Sequence, residues 1–370
     1  MSPVSPPSPE IIVAVGGGGV GKTTTSAALA LSLARAGRRT LVVTIDPARR
    51  LADALGTSVG SQVQPVTLPD AGDRLFALMP EPREAMRLFT EYLCAEEPEA
   101  LNRLLENRLY RVLEEAVPGI HELVCMSLVT RAAEELDLDV IVIDTAPSRY
   151  AIDFVTYPRR LGKLLGNRAV AWLSGLSAPD DAPRSRSSRW LAWGRRRAED
   201  ALSGVLGPNA VTDVADLFAA MALVRERFVR LSRRASDLLL VRQTRYLLVT
   251  APTGAASDNV RYLHARLRKL KLSPVALIVN QGLDAQAAWR PLLESPEPLA
   301  PDLAEVLDQL EAEHAARVRA ADRVRAAFSS SHRRLPQIPL PFVEAASPRE
   351  VLLALAVPFA EHLTTVSGRA

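Results

Sequence analysis

This sequence predicts an α/β protein, a mostly parallel sheet built around a phosphate-binding loop, flanked by helices and carrying an inserted α-helical subdomain. Three observations carry that expectation. A glycine-rich segment, GGGGVGKTT at 16–24, joins an apolar run to helix-like sequence. Short β-branched runs recur at 11–15, 41–45, 75–79, 140–143, 246–249, 275–279 and 335–338, most without polar alternation, as strands buried on both faces require. Two stretches at 81–137 and 150–243 break the alternation with helical spacing.

Taken in order, residues 1–10 hold four prolines and no basic region, so a short disordered arm is expected there. Residues 11–80, 138–149 and 244–345 supply the strands of the nucleotide-binding core. The segment 23–36 is a small-residue helix ended by Gly37. In 81–137, Leu101, Leu104, Leu105, Leu109, Val112, Leu113 and Ala116 fall three and four apart. In 150–243 a long helix is expected at 211–240, and the Pro- and Ser-rich 177–188 reads as a flexible loop. A closing helix at 347–363 sits within the C-terminal part, 346–370.

With 370 residues, 48% of them apolar, the chain can bury a large core, and no run reaches the roughly 18 apolar residues of a membrane span. Two cysteines, Cys94 and Cys125, make neither a disulfide framework nor a metal knuckle, and no histidine falls at ligand spacing. A cytoplasmic location is expected. Basic residues are almost all arginine, with only four lysines. The net charge of +3 is uneven: 159–197 carries a local +8, leaving −5 elsewhere, so nucleic acid is not an expected partner. That segment holds Trp172, Trp190 and Trp193; packing is favoured over a docking or transient membrane contact.

The chemistry concentrates at strand ends. Gly16, Gly17, Gly18, Gly19, Val20, Gly21, Lys22, Thr23 and Thr24 would wrap backbone N–H groups around a nucleoside triphosphate at a helix start. Lys22 would reach the β- and γ-phosphates and Thr23 would bind Mg²⁺. Asp46, Asp144 and Asn280 end three further strands, in LVVTID, VIVID and VALIVN.

The set GGVGKTT, TIDPA followed by a helix, IDTAPS and IVNQ resembles the arsenite-pump ATPase (ArsA) family and its relatives that target tail-anchored membrane proteins. These belong to the deviant Walker A class of dimerising P-loop ATPases that includes ParA and MinD. DPARRLADALG, ENRLY and DTAPSRYAIDF are most similar to bacterial ArsA-like members, and the resemblance covers residues 10–345. It implies ATP and Mg²⁺ as cofactors, Asp144 on the metal's water shell and Asp46 orienting the attacking water. It also implies Asn280 on the adenine, with a loop near Pro339 against the base.

Two departures stand out. Where the family carries a lysine that crosses the dimer, this chain has Gly17, a loss comparable to an arginine finger at ~10³–10⁵ in rate. Weak turnover, pairing with a lysine-bearing paralogue, or a cation supplied by Arg149, Arg49 or Arg50 is the consequence expected. The clamping Cys-x-x-Cys of eukaryotic relatives is also missing, and arsenite transport is not expected from two separate thiols. The expectation is a Mg-dependent ATPase, working as a homodimer or with a related ATPase, that couples its nucleotide state to a helical subdomain binding hydrophobic or membrane-protein clients. The alternatives are a nucleotide sensor, as the low-activity half of a heterodimer, and a ParA/MinD-like positioning ATPase on DNA or membrane.

Overall fold

The computed structural model describes residues 8–46, 48, 50–108, 110, 120–146, 210–240, 244–282, 300–329, 335–343 and 345–368. Along the chain come β1 (Glu10–Gly16), α1 (Lys22–Arg35), β2 (Thr40–Thr44), α2 (Arg50–Leu55), β3 (Gln64–Pro65) and β4 (Leu75–Leu78). Then follow α3 (Pro82–Leu93), α4 (Pro98–Glu106), α5 (Ile120–Glu135), β5 (Val140–Asp144) and α6 (Ala210–Leu240). The last are β6 (Arg245–Thr250), α7 (Gly254–Lys269), β7 (Pro274–Gly282), α8 (Pro301–Ser329), β8 (Gln337–Pro341), α9 (Pro348–Ala360) and α10 (Leu363–Val366).

The chain divides into two compact units. The first comprises Met1–Pro80, Ala132–Asp153 and Leu240–Ala370, and the second Glu81–Arg131 and Phe154–Leu239.

The eight strands of the described residues all lie in the first unit, in the order β3-β4-β2-β5-β1-β6-β7-β8. Every neighbouring pair is parallel except β3–β4. β1, β2 and β5 are buried along almost their whole length, which is why their sequences do not alternate. Ile12, Ala14, Val42, Val140 and Val142 meet Ala27, Leu31 and Ala34 of α1 and Leu352, Leu355 and Phe359 of α9 in one apolar cluster. Alanines in α1 let it sit close to α9, and α7 packs on β6 and β1. The sheet thereby presents the carboxyl ends of β1, β2, β5 and β6 side by side, where ligands of open α/β sheets bind.

The predicted strands all form, with shifts at their ends. β8 begins at Gln337 rather than at 335 and contains two prolines, which an edge strand tolerates because one side needs no N–H donor. β3, two residues antiparallel to β4, has no apolar run and left no trace in the sequence pattern. The closing helix is α9 plus the short α10; Ser347 caps α9 by accepting from the Glu350 N–H. α1 ends at Arg35, and Gly37 (φ +92°) turns the chain while Arg38 N–H returns to the Leu33 carbonyl.

The described residues of the second unit are helical. In α6, Leu217, Ala220, Val224, Phe228, Leu231, Ala235 and Leu239 are buried at three- and four-residue spacing. Phe228 meets Phe89 of α3 edge to face, with centroids 6.3 Å apart. Asn107 donates to the Asp213 carbonyl at 2.7 Å, and Thr90 and Tyr110 share a 2.7 Å hydroxyl hydrogen bond. Of the leucine stripe, Leu104 is buried and Leu105 is exposed, while Leu109, Val112, Leu113 and Ala116 lie outside the described residues. So do the whole of 159–197 with its tryptophans, and the 177–188 loop.

Candidate functional site

The loop at 16–24 runs from the end of β1 into α1. A Cβ at Gly16 would stand 2.4 Å from the Val249 carbonyl oxygen of β6, so only glycine lets the two strands pair there. Gly21 (φ +78°) is the N-cap of α1 and supplies no side-chain cap, and the first turn holds no acidic residue. The early N–H donors and the positive helix end therefore remain available to an anion. Lys22, 5% exposed, donates to the Gly17 carbonyl at 3.2 Å. Burial holds its pKa down; Asp144 and Asp46 oppose that shift, and Arg50 adds to it.

Asp144, at the end of β5, is the deepest charged group of the site, fully buried. Its Oδ2 accepts from Thr23 at 2.7 Å and from Thr44, the last residue of β2, at 3.0 Å. Its Oδ1 is buried and has no hydrogen-bond partner among the described residues. Burial pushes its pKa up to about 6, although the two threonines and Lys22 favour the carboxylate. Asp46 follows two residues after β2. Its N–H donates to the Thr44 hydroxyl at 3.2 Å, and its Oδ1 accepts from the Ala48 N–H at 3.1 Å, the Asx-type turn that fixes the carboxylate. Register explains the grouping: Thr44 and Ala14 both pair with Asp144 across adjacent parallel strands.

Asn280 lies on β7, 4% exposed, and donates from Nδ2 to the Val20 carbonyl at 2.9 Å. Its amide presses on Gly21, where a Cβ would be 2.2 Å from Nδ2. Gln281 follows at φ +56°, at the point where the β7–β8 register shifts. Pro339 is not in a loop: it is an exposed residue inside β8, opposite Val279. Arg149 and Arg49 lie outside the described residues, and Arg50 is an exposed residue opening α2.

The structure thus brings together the loop residues, Lys22, Thr23, Asp46, Asp144 and Asn280. Two neighbours escaped the sequence reading. Thr44 could have been found as the hydroxyl of TID at a strand end. Asn259 of α7 could not: its amide would stand 3.0 Å from a Cβ at Gly17, a contact that only the fold creates.

The donor set suits a small hard cation. One buried carboxylate with a free oxygen and one hydroxyl beside a phosphate loop match Mg²⁺, which takes few protein ligands and shares the rest with substrate and water. Among the described residues no cluster of three or more His, Cys, Asp or Glu forms a metal cage.

Residues 9–176 match the model of the anion-transporting ATPase family. Over that stretch the chain is similar to the ArsA family. Its curated relatives include the ATPase get3 of Schizosaccharomyces japonicus, 31% identical over 198 residues, 53% of this chain and 52% of the relative. The ATPase get3 of Aspergillus terreus is 34% identical over 150 residues, 40% of this chain and 42% of the relative. That of Schizosaccharomyces pombe is 31% identical over 151 residues, again 40% and 42%. The chain spans about half the length of these relatives, or less. The ArsA-like stretch contains the phosphate loop, Asp46 and Asp144, whereas Asn280 and Pro339 lie beyond it.

Proposed function

We propose that the chain is a Mg²⁺-dependent ATPase of the ArsA-like kind. The observation that carries this is Asp144, one oxygen held by Thr23 and Thr44 and the other unpartnered, beside an uncapped helix start. The loop N–H groups and α1 hold the β- and γ-phosphates, and Lys22 moves from the Gly17 carbonyl to a phosphate oxygen. Thr23 and Asp144 would hold Mg²⁺, which would neutralise charge on the phosphate oxygens. Asp46, fixed by its turn, orients the attacking water. Asn280, with Nδ2 committed to Val20, keeps Oδ1 for the base, beside Pro339. Arg149 supplies the cation that Gly17 lacks.

By resemblance, two copies or this chain and a related ATPase share nucleotide. Their state governs the helical unit's hold on a hydrophobic, membrane-protein client. Among the described residues no helix is long and apolar enough to cross a membrane, which suits a carrier acting in the cytoplasm. Steady-state hydrolysis of ATP with and without Mg²⁺ tests the core of this reading. Turnover lost on chelation and in Lys22→Ala supports it. ATP binding without turnover would favour the nucleotide-sensor reading, for which Gly17 backed by Asn259 speaks.

A further inference from the structure

One hydroxyl joins the two aspartates of the site. Thr44, the last residue of β2, is 1% exposed. Its Oγ1 lies 3.0 Å from Asp144 Oδ2 and 3.2 Å from the Asp46 backbone nitrogen. A backbone N–H can only donate, so the Thr44 hydroxyl accepts from Asp46 and gives its own proton to the Asp144 carboxylate. The same Oδ2 accepts from Thr23 at 2.7 Å, and Asp46 Oδ1 accepts from the Ala48 N–H at 3.1 Å. A continuous line of hydrogen bonds thus runs from the start of α1, through Asp144 and Thr44, to the turn at 46–48.

The framework around this line is fixed. The Ile45 N–H donates to the Asp144 carbonyl at 2.9 Å, which carries the β2–β5 pairing one residue past Thr44. The Thr145 hydroxyl donates to the Ala14 carbonyl of β1 at 2.8 Å, pinning the chain on the far side of Asp144. Two short turns then follow one another: Thr44 Oγ1 takes the N–H two residues on, and Asp46 Oδ1 does the same at Ala48. Thr44, Asp46 and Asp144 are all buried, where a hydrogen bond is stronger than in water and polarises the next.

We propose that Thr44 is a positioning residue whose hydroxyl couples the placement of Asp46 to the state of the Asp144 carboxylate. The inference rests on the ATPase reading, which assigns Mg²⁺ to Thr23 and Asp144 and the attacking water to Asp46. The carboxylate that accepts the Thr44 proton is the one that would face the cation. The pull on the hydroxyl, and through it on the Asp46 N–H, therefore differs between the two metal states. The turn at 46–48 answers to the metal site through this one side chain. A threonine that merely capped the strand end would leave that turn indifferent to metal.

The test uses the full chain with ADP present throughout, with and without Mg²⁺. Hydrogen exchange is followed at the Ala48 amide, whose bond to Asp46 a substitution at Thr44 does not touch directly. In the wild type its rate should change about 3-fold or more on adding Mg²⁺. Thr44→Val keeps the shape of the side chain and removes the hydroxyl. It should abolish that response and lower kcat about 10–100-fold, with the KM for ATP within about 3-fold. Thr44→Ser, which keeps the hydroxyl, should restore both, and Thr44→Ala serves in place of the valine variant should that not fold. Binding of Mn²⁺ with ADP, read by electron paramagnetic resonance, separates the two readings. If the wild type binds no Mn²⁺, the ATPase reading fails and the coupling with it. Mn²⁺ binding with an Ala48 amide that does not respond, or that responds equally in Thr44→Val, overturns the coupling alone. So does a Thr44→Ser variant that behaves as Thr44→Val.

Discussion

At Asp144 a buried carboxylate is kept in a state that costs stability until something positive arrives. Its pKa rises on folding from 3.8 to about 6, so the native state binds its proton more tightly than the unfolded chain. Between about pH 4 and pH 6 stability without nucleotide therefore falls as pH rises, and above pH 6 the full cost remains. Asp144→Asn should raise the stability of the ligand-free protein at pH 7 by about 1–3 kcal/mol, and should abolish Mg²⁺-dependent turnover. Thermal melts from pH 4 to 8 check this, and a destabilised variant at pH 7 would sink the account. Gly21 offers a second check. Alanine there combines φ +78° with a 2.2 Å approach to Asn280, so Gly21→Ala should cost about 1–3 kcal/mol and weaken ATP binding at least 10-fold in a fluorescence titration. The glycines, Lys22, Thr23 and the two aspartates were legible because local spacing alone sets them at a strand end or helix start. Thr44 on Asp144, Asn280 on Val20 and Asn259 on Gly17 span 100 to 260 positions or depend on a packed helix, and no window of sequence contains both partners.

Among elements, the end of the sheet opposite the loop is tied by one carboxylate. Glu10, opening β1, accepts from Arg38 at 3.0 Å, Arg245 at 3.1 Å, Ser367 at 2.7 Å and the Gly368 N–H at 2.6 Å. It therefore fastens β1 to the turn after α1, to the start of β6 and to the segment following α10. The carboxylate is nearly buried and both guanidinium groups are mostly so, which removes the screening that makes surface pairs weak. Glu10→Ala leaves two buried cations facing each other and should cost about 3–5 kcal/mol. Urea unfolding followed by circular dichroism measures it; a loss under about 1 kcal/mol would mean the cluster is solvated. None of this was visible beforehand, since the sequence placed Glu10 in a disordered arm. The strands were visible because burial on both faces leaves continuous apolar runs. β3 was not, because two residues at an edge carry no pattern. α8 is 29 residues long yet polar over most of its surface, with Leu303, Val306 and Leu310 partly exposed, so its stripe stayed faint.

For the molecule as a whole, the proposed ATP hydrolysis turns on where positive charge comes from. The transition state of phosphoryl transfer spreads charge over three oxygens, and an added cation contributes ~10³–10⁵ in rate. Lys22 is one such cation, held 3.2 Å from the Gly17 carbonyl. Gly17 cannot be another, and Asn259 crowds the space that a side chain there would enter. On the proposed reading, that charge comes from elsewhere in the chain or from a second molecule. The same chain carries +8 within 159–197 and −5 elsewhere, unlike charges that would draw two copies together at low salt. Specific activity should then rise with protein concentration, and Arg149→Ala should lower kcat at least 100-fold while leaving ATP affinity within about 3-fold. Mixing Arg149→Ala with Lys22→Ala separates the sources. If Arg149 acts across two copies, each inactive chain supplies what the other lacks, and part of the activity returns at one of the two sites. If it acts within its own copy, every site lacks one cation and the mixture stays inactive. Wild-type turnover in Arg149→Ala alone would remove Arg149 from the mechanism and pass the role to Arg49 or Arg50.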